Sequence, residues 1–157
     1  MARVYSEEYQ IERDRRRYEW LLGNKQAIDA VQTLVNIAEF WDDVTDKDRE
    51  VTADEADAAF WGALVELQVN EFFQAHKSSF MPIIILAINA WKDSEILKKS
   101  ASSDVRRVAF HQRVFLHEVT KLAAFIIGGY AHLRKVSPDI SAFYAQETFE
   151  EWDLENA

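Results

Sequence analysis

Met81-Pro82-Ile83-Ile84-Ile85-Leu86-Ala87-Ile88-Asn89-Ala90-Trp91 is the stretch on which the fold turns. From Ile83 to Ile88 there is no polar side chain, so a helix here is apolar around its whole circumference, the pattern of an element enclosed by others. Pro82 fits a first helical turn after Ser78 or Ser79, where its missing N–H has no partner to lose. The run falls short of the roughly 20 residues that cross a bilayer, as does Leu122 to Ala131. The spacing predicts a central helix over Met81 to Leu97, and the rest of the chain must wrap it.

Four Gly and two Pro are the only strong breaks in 157 residues, and β-branched residues nowhere alternate strictly with polar ones. At 48% hydrophobic content, one core of this size buries roughly two-thirds of the unfolded surface. The expected fold class is all-α: a single domain over 1–157, a bundle of five to six helices around the central apolar one.

Residues 1–23 read as a polar N-terminal helix, opened by Ser6 with Glu7 and Glu8 and stopped by Gly23 after Leu22. Its stripe of Ile11, Tyr18 and Leu22 is weak. Ala27 to Val44 is strongly periodic, with Ile28, Val31, Leu34, Val35, Ala38 and Trp41 as the buried face. Thr52-Ala53-Asp54-Glu55 is a capping box for a third helix whose apolar side holds Phe60, Trp61, Leu64 and Val65. Asn70 caps a short piece with Phe72 and Phe73. Ser103 opens a long helix from Asp104 to Ile127, striped by Val105, Val108, Phe115, Val119, Leu122 and Ile126 and stopped by Gly128-Gly129. Ser137-Pro138-Asp139 then opens an acidic C-terminal helix over 137–157, packing through Ile140, Tyr144 and Trp152.

The net charge of −9 is concentrated. Residues 39–57 hold nine acids against Lys47 and Arg49, and residues 147–155 hold five acids and no base, leaving the remainder at +3. Such a balance argues against a phosphate-backbone binder, so nucleic acid is not an expected partner. Arg13, Arg15, Arg16 and Arg17 alternate with Glu12, Asp14 and Glu19, which reads as a solvated, salt-bridged helix. The absence of cysteine removes disulfides, thiolate nucleophiles and Cys-ligated zinc. The N-terminus lacks a signal peptide's apolar core, and a soluble protein with no membrane partner is expected.

Two places carry candidate chemistry. Glu39, Asp42, Asp43 and Asp46 stand at i, i+3, i+4 and i+7, so neighbours among them can converge on a hard cation such as Mg or Mn. Asp42 also falls inside the core stripe of its helix, where a bare carboxylate costs several kcal/mol. The alternative is that Asp42 accepts hydrogen bonds from a Trp indole or an Arg. Asp42-Asp43-x-x-Asp46 has the spelling of the isoprenoid-synthase motif, but the chain lacks the second motif that such chemistry needs. At the C-terminus, Glu150, Glu151, Trp152 and Asp153 form an acid-aromatic segment able either to bind a partner or to pack. The four histidines form no Glu-x-x-His or His-Glu-x-x-His pattern, and there is no phosphate loop or nucleophile elbow.

The order of features resembles a family of small uncharacterised helical proteins encoded by tailed phages and prophages. The residues that carry the resemblance are Leu21-Leu22-Gly23-Asn24, Trp41-Asp42-Asp43 with Asp46 and Asp48, Phe60-Trp61 with Ala63-Leu64, Asn70 with Phe72, Asn89-Ala90-Trp91, Ile126-Ile127-Gly128-Gly129 and Ser137-Pro138-Asp139-Ile140. The resemblance implies a phage-encoded protein, in the cytoplasm of the infected host or on the virion. The expected function is non-enzymatic binding of a protein partner (itself, a virion component or a host factor) through an acidic surface. The alternative is a divalent-metal enzyme for a phosphorylated or nucleotide substrate.

Overall fold

The computed structural model describes residues 6–47 and 49–156; Asp48 and the chain ends at 1–5 and 157 lie outside the described residues. The fold is a single all-α domain. Its order is α1 (Glu7–Trp20), α2 (Lys25–Asp46), α3 (Ala53–Trp61), a π-helical turn (Gly62–Glu66), α4 (Leu67–Val69), α5 (Glu71–Leu97), α6 (Ser103–Gln112), a 3-10 turn (Phe115–His117), α7 (Glu118–Tyr144) and α8 (Phe149–Glu155). Five of these run ten residues or more.

The starts follow local chemistry. Ser6, Asn24 and Asn70 each accept from the backbone N–H three residues on. Thr52 and Thr148 each form a reciprocal capping box, with Glu55 and Glu151. Such caps are worth about 1 kcal/mol apiece. Gly23, at φ 69°, turns the chain from α1 into α2.

Val31, Leu34 and Val35 of α2 meet Phe72, Phe73 and Phe80 of α5, Val119, Ala123, Ala124 and Ile140 of α7, and Trp20 and Leu21 at the end of α1. Burying a side chain of this kind contributes about 1.5–3 kcal/mol. Ala109, Phe149 and Trp152 form a smaller cluster that seats α8 on α6.

Several expectations are corrected. Trp41 is not in the core: it lies more than half exposed, edge-on to Trp91 at 6.4 Å between ring centroids. The apolar helix starts at Glu71, not after Ser79, so Pro82 sits in its interior and His76 marks a kink. Although α5 packs on α2, α6, α7 and the 3-10 turn, Ile85, Leu86 and Ile88 are each more than half exposed, so the helix is covered on one side only. The expected helix Asp104 to Ile127 is broken by the 3-10 turn, and Gly129 (φ 76°, ψ −174°) bends α7 where a stop was expected, with helix resuming directly and Pro138 in its interior. The helix that holds the apolar run of α7 is long and apolar enough to cross a membrane, and 22% of that run is buried in the bundle, at Val119, Thr120, Ala123 and Ala124.

Candidate functional site

The four acids of α2 are drawn to different neighbours. The Trp91 indole Nε1 donates to Asp42 at 3.0 Å. Arg49 holds Asp43 through Nη2 at 2.5 Å and Nε at 3.1 Å, and reaches Glu55 of α3 at 2.7 Å. Lys98 lies 3.8 Å from Asp46 and pairs with Glu95 at 2.7 Å. Glu39 is half-buried toward Arg13 and Arg17. Among the described residues no three His, Asp or Glu side chains form a group able to hold a metal ion.

Their electrostatics differ in consequence. Burial raises the Glu39 carboxyl above its ordinary range, against the pull of Arg13 and Arg17. Burial also raises Asp42, opposed by the Trp91 bond. Asp42 keeps more than a third of its surface, which limits that shift. Glu55 is drawn down to about 2 by Arg49, then by the Thr52 backbone and hydroxyl.

The acid-aromatic C-terminus is used within the chain. Trp152 is 6% exposed. Glu151 completes a cap, Asp153 takes Arg106 at 2.6 and 3.0 Å, and Glu150 reaches Arg107 at 3.3 Å. This is the packing alternative for that segment.

A second polar region lies behind the 3-10 turn. An open cleft of about 320 Å³ is lined by Arg113, His117, Lys121, Tyr144 and Glu147 among others. His117 stacks on Tyr144 at 3.6 Å, and its Nδ1 is buried without a hydrogen-bond partner. Burial, then Arg17, Arg113 and Lys121, push the imidazole down to about 3. Arg17 is 1% exposed, bonded to Gln32 and to the Tyr144 hydroxyl at 3.4 Å. The cations of the cleft are balanced by Glu147 on Arg113 and Glu118 on Lys121, both at 2.6 Å.

The feature that sequence reasoning placed on the wrong side is α3. Ala58, Ala59 and Gly62 line its α2 side, with Thr33 and Ile37 opposite. A Cβ on Gly62 would come within 3.0 Å of Thr33 Cγ2, so α3 approaches through its small residues. Its large ones point the other way: Phe60 is 64% exposed, Trp61 60% and Leu64 70%. No residue of α3 itself is buried. The π turn adds a residue to the helical repeat, so Leu67 returns to the core while Leu64, three residues earlier, stays out. The signal was present in Ala58-Ala59 and Gly62, because a helix carrying both a small face and an aromatic face can pack by either. No family model matches the chain, and neither does any curated protein or solved structure.

Proposed function

We propose that this chain works by binding protein, with the outer face of α3 as its docking surface. The observation that carries the reading is that Phe60, Trp61 and Leu64 are all at least 60% exposed on one side of a helix held by its small residues. Apolar side chains grouped on a helix away from the core mark interaction surfaces, and Trp in particular supplies binding energy when desolvated. Asp54 and Asp57, both exposed on the same side, make the surface acidic at its rim. The resemblance to helical phage and prophage proteins supports a role as a virion or assembly component, or as a host-factor interactor, in the infected cell or on the particle. The alternative, a divalent-metal enzyme acting on a phosphorylated or nucleotide substrate, would require Asp42, Asp43 and Asp46 to exchange their present neighbours for the ion.

A Phe60→Ser, Trp61→Ser, Leu64→Ser variant tests the proposal. Exposed positions change stability by about 0.5 kcal/mol or less. The variant is therefore expected to melt like the wild type while losing association by size-exclusion with light scattering. A variant that unfolds, or one that associates unchanged, removes α3 as the docking surface.

A further inference from the structure

What covers α3 can be read from charge, given the docking role proposed for that face. Around the helix, Asp54, Asp57, Phe60, Trp61 and Leu64 fall within one outward arc at about 100° per residue. Among the described residues neither Asp54 nor Asp57 has an ion-pair partner, because the nearby Arg49 is taken by Asp43 and Glu55. A fitting partner brings cations beside an apolar strip.

The chain carries such a strip itself. Beyond the Gly129 bend, Tyr130, Ala131, Arg134, Lys135 and Pro138 share the outer side of α7, all exposed. Arg134 and Lys135 make no ion pair among the described residues, and Tyr130 is 68% exposed. The nearest acid on that helix, Asp139, is taken by the Trp20 indole at 2.7 Å and by Arg16. α3 and α7 each pack on α2, and neither is among the other's principal neighbours.

We infer that the occupant of the α3 face is a second copy of this chain. Its Tyr130 strip lies on Phe60, Trp61 and Leu64, with Arg134 and Lys135 against Asp54 and Asp57. The guanidinium of Arg134 has aromatic faces to stack on, a contact that favours Arg over Lys. Two different patches meet, so the contact either repeats across a two-fold or propagates from copy to copy, as an assembly component requires.

The test is sedimentation velocity of the full chain from about 1 to about 100 μM, spanning affinities usual for modest interfaces. Two variants are run beside it: Asp54→Lys/Asp57→Lys and Arg134→Glu/Lys135→Glu. The wild type is expected to associate with concentration, less so in high salt because the charges are exposed. Each charge-reversed variant is expected to stay monomeric to at least about tenfold higher concentration, equivalent to 1.4 kcal/mol. Mixed in equal amounts, the two variants are expected to associate again. A thermal melt of each shows that it folds. A monomeric wild type, variants that associate unchanged, or a mixture that stays monomeric would each overturn the inference. Should the wild type be monomeric, a labelled leucine-lysine helical peptide separates the two claims. Anisotropy that rises with the wild type and not with Phe60→Ser/Trp61→Ser keeps α3 as a docking face for another protein, and no rise removes both.

Discussion

The Trp91 indole Nε1 donates to the Asp42 carboxylate at 3.0 Å and so ties α5 to α2 near the outer end of both helices. Burial raises Asp42, while the indole bond opposes that rise. The contact needs an acceptor more than it needs a charge. Asp42→Asn keeps an acceptor oxygen and relieves the desolvated charge, so it should leave stability at pH 7 unchanged or slightly higher. Asp42→Ala removes the acceptor and should cost about 1 kcal/mol, as a lost hydrogen bond does. Urea melts of both variants decide this, and a large loss in Asp42→Asn would return the charge itself to a structural role.

Metal should have little effect on the same region. A ligand of the native state at one hundred times its Kd adds about 2.7 kcal/mol. With the α2 acids directed at Trp91, Arg49, Lys98 and the Arg13 and Arg17 side, chelator-stripped protein is expected to melt at the same temperature with and without millimolar magnesium or manganese. A shift present in the wild type and lost in Asp42→Asn would revive the metal-dependent alternative.

His117 should make the protein acid-sensitive. Its folded pKa of about 3 lies below the ordinary 6.5, so between those values the unfolded chain takes up a proton that the folded chain refuses. The stability linked to His117 is fully present above pH 6.5 and is lost as pH falls toward 3, on the order of a few kcal/mol in all. His117→Phe keeps a ring against Tyr144 and removes the titration. Denaturant melts at pH 7 and pH 5 should therefore differ more for the wild type than for the variant.

Glu55 contributes in the opposite sense to the raised Glu39 and Asp42. Held down to about 2 by Arg49, it stabilises the fold above its ordinary pKa of 4.5, and that contribution disappears as pH falls from there toward 2. The clamp from Arg49 to Asp43 and Glu55 joins α2 to α3, so Arg49→Met should loosen α3 selectively. Hydrogen exchange should show residues 53–66 exchanging faster while residues 27–35 keep their protection.

Gly129→Ala should be costly for backbone reasons alone. A Cβ there meets nothing within 4 Å, but φ 76° with ψ −174° is a region open essentially only to glycine. The expected loss is about 1–3 kcal/mol in a urea melt, and a loss below about 0.5 kcal/mol would contradict the bend.

Capping chemistry was legible because it is local. Ser6, Thr52 and Asn70 cap where hydroxyl and amide side chains precede periodic segments. Three things were not legible. Apolar residues all round Ile83 to Ile88 cannot tell a helix enclosed by its own chain from one half exposed, since both satisfy the same pattern. In α3, Phe60, Trp61 and Leu64 looked like the core face because size dominates hydrophobic patterning, whereas contact with α2 selects the residues that permit close approach. The acids of α2 could be grouped by spacing, but their separation among Trp91, Arg49 and Lys98 depends on residues far along the chain.

The central claim, that the outer face of α3 meets protein, is tested most directly by placing a photo-crosslinking side chain at position 64. A control carries it at position 99, exposed and polar and remote in sequence. The account predicts cross-links to protein, another copy of the chain included, from position 64 in excess over position 99, and their loss when Trp61→Ser is added. Equal yields from the two positions, or none from position 64 under conditions where the protein associates, would contradict it.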